Sequence, residues 1–261
     1  MALNKRQKSL IEKTISDCLF QKLSTYKPEA KSMPYHDRLI GRDRIVLYSI
    51  FQFLNNAFDV SFFEPIAIEL TTASNMYVRV EKQFVVGEQI SEAAQGEIES
   101  IIDELSIRGE PDKVLEIERL RKVCRTGKPI TIKSIDVDLY LESKNGHKHL
   151  FDLKTLRSDE SNLIDSKRSI LEWVAISLYN NPEEFISTYI AIPYNPYEPK
   201  PYEKWILRGM FDFKQELKVA NEFWDFIGGE GAYEDLLDCF ERVGLSMREE
   251  IDKYFERFNK V

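Results

Sequence analysis

The sequence predicts an α/β fold, with a mixed central sheet flanked by helices and helical additions at both ends. Three observations carry this reading. Near residue 130 the side-chain pattern changes from helical spacing to the alternation of a strand. A Lys144-Asn145-Gly146 turn then joins two such strands. Finally, a helix separates this hairpin from a short buried strand, and such a connection returns the chain parallel to the strand it left.

The elements follow in order. Leu10, Ile11, Ile15, Cys18, Leu19 and Leu23 recur at helical spacing, as do Ile45, Tyr48 and Leu54 within Asp43 to Phe58. Between them, Tyr26 to Arg42 mixes Pro, His and charge and reads as a connecting loop. Ser91 to Leu105 is helical with Ser91 as N-cap, and a second helix begins at Pro111-Asp112 and ends near Gly127. Ile130 to Leu141 and His149 to Leu156 are the hairpin strands. Leu163, Ile170, Leu171, Val174, Ala175 and Leu178 mark a helix closed by Asn180-Asn181-Pro182, and Ile186 to Ile192 is the buried strand. Pro193 to Pro201 should be extended. Asp212 to Phe226 and Ala232 to Phe258 read as two helices divided by Gly228-Gly229. No internal repeat or flexible linker interrupts the chain. One domain over 1–261 is therefore expected, with a helical N-terminal part to about 90, a core over about 91–193 and a helical C-terminal part.

With 43% hydrophobic and 31% charged residues, the composition is that of an ordinary globular protein. The opening residues lack the apolar run of a secretory signal, and no stretch approaches a membrane span, so a cytoplasmic protein is expected. Cys18, Cys124 and Cys239 are far apart and lack CxxC spacing, which argues against a disulfide framework or a zinc site. Gly228-Gly229-Glu230-Gly231 lacks the Lys-Ser/Thr of a phosphate loop and does not follow a strand. His36, His147 and His149 lack the spacing of a ligand set. A net charge of −8 argues mildly against a nucleic-acid partner. Yet residues 119–133 hold Arg119, Arg121, Lys122, Arg125, Lys128 and Lys133 with no acid among them, a basic stretch with which an acidic protein could meet DNA.

The chemistry points to Asp138, Asp152 and Lys154. Hydrolysing a phosphodiester needs neutralised phosphate charge, an activated water and help for the leaving oxygen. Carboxylates holding Mg²⁺ meet the first two needs, and a nearby Lys can orient the water. As a string, Asp-x-Lys is weak: Asp165-x-Lys167 and Asp212-x-Lys214 also fit. Only Asp152-Leu153-Lys154, however, lies on the second strand of a hairpin followed by a helix and another strand. There Asp152 and Lys154 share one face, and an acid and a base inside Leu-Phe-Asp-Leu-Lys are costly unless they act. A two-residue turn would place Asp138 and Asp152 on opposite faces. A three-residue turn with Gly146 left-handed pairs them directly, so the bulged hairpin is expected. Asp136, on the same face, sits opposite Lys154. Glu97, Glu99 and Glu118 are candidates for a third carboxylate.

Beyond the hairpin, the chain resembles the TdeIII family of type II restriction endonucleases. The residues that carry the likeness are Pro34-Tyr-His-Asp-Arg-Leu-Ile-Gly-Arg-Asp-Arg44, Phe63-Glu-Pro-Ile66, Val137-Asp-Leu-Tyr-Leu141, Leu150-Phe-Asp-Leu-Lys-Thr155, Leu171-Glu-Trp-Val-Ala-Ile176, Ala191-Ile-Pro-Tyr-Asn-Pro-Tyr-Glu-Pro-Lys-Pro-Tyr202 and Glu222-Phe-Trp-Asp-Phe-Ile-Gly-Gly229. The resemblance implies a restriction-endonuclease-like PD-(D/E)xK core, Mg²⁺ as cofactor and cleavage of double-stranded DNA at GGNCC. It also implies a companion methyltransferase, with Asp138, Asp152 and Lys154 in the catalytic roles and the two aspartates on the metal. No Pro precedes Asp138, so the first half of that motif departs from its name. A palindromic target favours a homodimer. Reading G·C pairs needs cations and acids at base edges, for which Asn195, Glu198, Lys200 and Lys204, and the stretch Arg38 to Arg44, are candidates; Arg125 and Lys128 of the basic stretch are further DNA-binding candidates. The alternatives are another nuclease on the same core, such as a junction resolvase or repair nuclease, and a DNA-binding protein without chemistry.

Overall fold

The computed structural model describes residues 3–25, 34–133, 136–154, 160–202 and 209–259. Its strands are Tyr77–Val85 (β1), Gln89–Ser91 (β2), Pro129–Thr131 (β3), Asp136–Ser143 (β4), Lys148–Leu153 (β5), Ile186–Ile192 (β6) and Leu217–Val219 (β7). Its helices are Lys5–Thr25 (α1), Pro34–Ile40 (α2), Arg42–Ala57 (α3), Val60–Ser74 (α4), Glu92–Arg108 (α5), Lys113–Val123 (α6), Glu160–Asn180 (α7), Asn221–Gly228 (α8), Ala232–Ser246 (α9) and Arg248–Asn259 (α10).

The sheet is mixed and five-stranded, in the order β1-β4-β5-β6-β7. β1 pairs antiparallel with β4 and β4 with β5, while β6 runs parallel to both β5 and β7. This is the mixed sheet flanked by helices that the sequence predicts. Every residue from His149 to Leu153 is buried, because β5 is central and covered on both sides. On one side Phe151 meets Phe223 and Phe226 of α8, with ring centroids 5.7 and 5.8 Å apart. On the other, α7 lies against the Asp152 face and buries Ile170, Leu171, Trp173 and Val174 in the main core. Burial of that apolar surface is the main force holding the layers together.

Local chemistry sets several boundaries. The hydroxyl of Ser91 accepts the Ala94 N–H at 3.0 Å, the cap expected for α5. Asp112 caps α6 by accepting from Leu115 N–H, which leaves Pro111 just outside the helix rather than in its first turn. α7 and β6 fall where the side-chain period puts them.

Elsewhere the expectations need correction. Residues 34–40 of the expected loop form α2, and 26–33 lie outside the described residues. The N-terminal part is not all helical: it supplies β1, an edge strand exposed along most of its length, whose alternation is therefore faint. The strand expected over Ile130 to Leu141 is two, since β3 leaves the main sheet to pair with β2. α6 stops at Val123, ahead of Gly127. Pro193 to Pro201 turns back on itself: the Asn195 side chain accepts from Tyr197 N–H and donates to the Lys200 carbonyl. The helix expected over Asp212 to Phe226 is β7 followed by α8, with Ala220 at φ 49° between them. The last helix breaks at Met247.

Candidate active site

The site is built on the hairpin. β4 and β5 pair Leu139 with Phe151, Tyr140 with Leu150 and Leu141 with His149. The next pair in this register is Asp138 with Asp152. Ser143 N–H donates to the His147 carbonyl at 2.9 Å, enclosing a three-residue turn, and Gly146 adopts φ 81° there. The bulged hairpin expected from loop parity is the one found.

Asp138, Asp152 and Lys154 come together in a cleft of about 440 Å³, with Asp136, Leu153, Val60 of α4, and Asp165, Ser166, Ser169 and Trp173 of α7. Asp138 Oδ2 accepts the Leu153 N–H at 2.7 Å, which fixes its rotamer against the neighbouring strand. Lys154 Nζ lies 2.8 Å from Asp152 Oδ1, and Ser166 also hydrogen-bonds Asp152. Burial pushes the Asp152 carboxyl up to about 6, against the pull of Lys154, and the charge of Asp138 adds to the rise. Burial likewise raises Asp138, opposed by the Leu153 N–H and by Lys154. Two carboxylates in hydrogen-bond contact, sharing one ammonium, favour taking up a proton or a cation.

The cleft also draws on residues that sequence reasoning did not select. Glu64 of α4 lies within electrostatic reach of Asp138, and its carboxyl is raised, by burial first. Gln83 of β1 hydrogen-bonds Glu64 and donates to Asp138 Oδ1 at 3.3 Å. The available signal was a lone acid inside the apolar run Phe62-Phe63-Glu64-Pro65-Ile66. The three acids considered for a third carboxylate are engaged elsewhere. Glu97 binds Arg119 at 2.5 Å, Glu99 binds Arg168, and Glu118 lies 3.4 Å from Arg121.

The DNA-binding candidates are scattered. Asn195, Glu198 and Lys200 line a separate pocket of about 470 Å³ at the carboxyl ends of β6 and β7. Lys204 lies outside the described residues. Arg125 donates to the carbonyls of Tyr179 and Asn180, at the far end of α7 from Ser166. At about 1.5 Å per residue this puts it roughly 20 Å from the cleft. Lys128 is exposed, and its carbonyl accepts from Glu92 N–H at the start of α5. Arg119 and Arg121 of the basic stretch are likewise tied into ion pairs and carbonyls.

Among the described residues, no group of three or more His, Cys, Asp or Glu is arranged to hold a metal. The donor set fits a hard cation that keeps part of its water: two oxygen ligands on facing strands, their charge only partly offset by Lys154. No described helix is long and apolar enough to cross a membrane.

Comparison with known proteins gives the family of the chain. The chain is 27% identical to the type II restriction enzyme HgiCII of Herpetosiphon aurantiacus over 156 residues, 59% of this chain and 56% of that protein. It is 24% identical to HgiBI of the same organism over 63% of this chain and 60% of that protein. It is 25% identical to the type II restriction enzyme MjaII of Methanocaldococcus jannaschii over 76% of this chain and 55% of that protein. The chain thus matches little more than half the length of these relatives. A family model described as "Type II restriction endonuclease, HinfI" matches residues 3–244. This is a different family from the TdeIII resemblance, but it shares the enzyme class. Matched over most of its length, the chain belongs to the HinfI family of type II restriction endonucleases.

Proposed function

We propose that this chain hydrolyses double-stranded DNA at a short palindromic site with Mg²⁺, and that Asp138, Asp152 and Lys154 of a PD-(D/E)xK centre carry the chemistry. The observation that supports this most is the meeting of two carboxylates from paired strand positions and one ammonium in an open cleft. A solvent-facing hairpin with cross-strand ion pairs would leave Asp152 exposed. Instead its side chain is only 11% exposed, a cost that calls for a functional return.

In this reading Asp138 and Asp152 hold the cation, which when bound neutralises phosphate charge and lowers the pKa of a bound water. The Leu153 N–H keeps Asp138 aimed into the cleft. Ser166 and Lys154 do the same for Asp152. The Lys154 ammonium holds the attacking water and offsets charge growing on the phosphate as the new P–O bond forms and the ester P–O bond breaks. Trp173 and Val60 form apolar walls that limit access of bulk water.

Further parts of the reading rest on resemblance. GGNCC is the site the TdeIII likeness implies, a palindrome calls for a homodimer, and host DNA in the cytoplasm calls for a companion methyltransferase. Asn195, Glu198 and Lys200, beside the strand next to β5, remain the base-reading proposals, while Arg125 and Lys128 would act at a more distant phosphate.

Digestion of unmethylated phage DNA with Mg²⁺ tests the proposal. Discrete fragments from the natural protein, absent with Asp152→Ala and Lys154→Ala, are expected. A smear or no discrete bands would favour a structure-directed nuclease. Intact DNA with tight binding would make the three residues a structural ion network.

A further inference from the structure

Gln83 occupies an unusual position beside this site. In the register of β1 with β4, Lys82 pairs with Leu139 and Phe84 with Val137, so Gln83 stands opposite Asp138. Its backbone has φ 48°, a left-handed value inside a strand, where L side chains are rarely found. This is not a frayed end. The Phe84 ring packs on Tyr140 at 4.2 Å, and the Arg79 guanidinium lies over both rings at 5.1 and 5.2 Å. Packing on either side therefore holds the kink in place.

The kink comes with a particular pair of contacts. The Gln83 amide nitrogen donates to Asp138 Oδ1 at 3.3 Å, and Gln83 also hydrogen-bonds Glu64 on α4. A carboxamide nitrogen has two hydrogens, so it can serve two carboxylates at once. Asp138 then has its two oxygens held separately, Oδ2 by the Leu153 N–H of β5 and Oδ1 by Gln83 of β1. Once the proton shared with Asp152 is lost, each oxygen keeps a lone pair for a cation.

We propose that Gln83 is a positioning residue that fixes Asp138, and Glu64 beside it, in the orientation needed to receive the cation. The inference rests on the proposed metal-dependent nuclease. Hydrogen-bond donors behind metal-ligating carboxylates typically contribute 10- to 100-fold in metal affinity. Strained backbone persists where the side chain it presents is needed.

Calorimetric titration of Mn²⁺ into the full chain without DNA tests this, comparing the natural protein with Gln83→Gly, Gln83→Leu and Asp152→Ala, and recording the thermal midpoint of each. Glycine tolerates the left-handed backbone but has no donor; leucine keeps the bulk and the strain but has no donor. Both are expected to weaken Mn²⁺ binding by about 10- to 100-fold, with the Gln83→Gly midpoint equal to or above that of the natural protein. If the natural protein binds Mn²⁺ and Gln83→Gly binds it equally well, the role of Gln83 is overturned while the metal site stands. If both glutamine variants weaken binding only where the midpoint drops in step, Gln83 is structural and the inference also fails. If the natural protein binds no Mn²⁺, or Asp152→Ala binds it unchanged, the metal-site reading falls first.

Discussion

Asp152 shows the tension at the scale of single residues. Burial opposes its ionised form and holds its carboxyl near 6 rather than at the usual carboxylate value, while Lys154 at 2.8 Å pulls the other way. The folded protein therefore keeps a proton on Asp152 between about pH 4 and 6 that the unfolded chain has lost. It follows that this group's contribution to stability falls as pH rises through that window and stays low above it. Asp152→Asn should stabilise the metal-free protein by roughly 1–3 kcal/mol at pH 8 and by little at pH 4. Thermal unfolding at the two pH values checks this, and an equal effect at both would contradict it. Under the proposed metal role of this carboxylate, Mg²⁺ should raise the midpoint of the natural protein and leave that of Asp152→Asn nearly unchanged.

At the scale of elements, the hairpin and α7 carry the site, and each has a separate device. The turn depends on Gly146 at φ 81°, with open space where a Cβ would go. Gly146→Ala thus tests backbone conformation alone and should cost about 1 kcal/mol in denaturant unfolding, with Gly146→Asn costing less. α7 is held by a buried charge cluster directly beside Ser166. Lys167, fully buried, lies 2.7 Å from Glu116 of α6 and 2.8 Å from Glu216 ahead of β7, while Lys113 meets Glu216 at 2.9 Å. Lys167→Met would leave two buried carboxylates with one cation and should destabilise the protein by about 3–5 kcal/mol; a loss under 1 kcal/mol would show that the cluster is not rigid.

These elements also show what the sequence could reveal. Hairpin register was legible because loop length sets which face Asp138 takes, and α7 and β6 were legible from strong periodicity. Glu64 and Gln83 were not, since they lie on a helix and an edge strand brought to the hairpin only by tertiary packing. β7 has three residues, too few for a pattern. The basic stretch misled because a charge count cannot tell that Arg119, Arg121 and Arg125 are tied down by carboxylates and carbonyls.

At the scale of the whole molecule, the sheet gathers its outer strands from both ends of the chain, β1 before the hairpin and β7 after β6. Just ahead of α1, Leu3 N–H donates to Asp235 of α9 at 2.9 Å, with Lys8 of α1 on the same carboxylate. These long-range ties support one folding unit, and a single cooperative unfolding transition is expected; two separated transitions would contradict that. The central claim is that Asp138, Asp152 and Lys154 form the hydrolytic centre. Its most direct test is cleavage and binding of one DNA duplex by the natural protein and Lys154→Ala, with Ca²⁺ in place of Mg²⁺ for binding. The account predicts that cleavage falls by about 10³-fold or more while binding stays within a few-fold. Cleavage by Lys154→Ala at the natural rate, with binding intact, would contradict it.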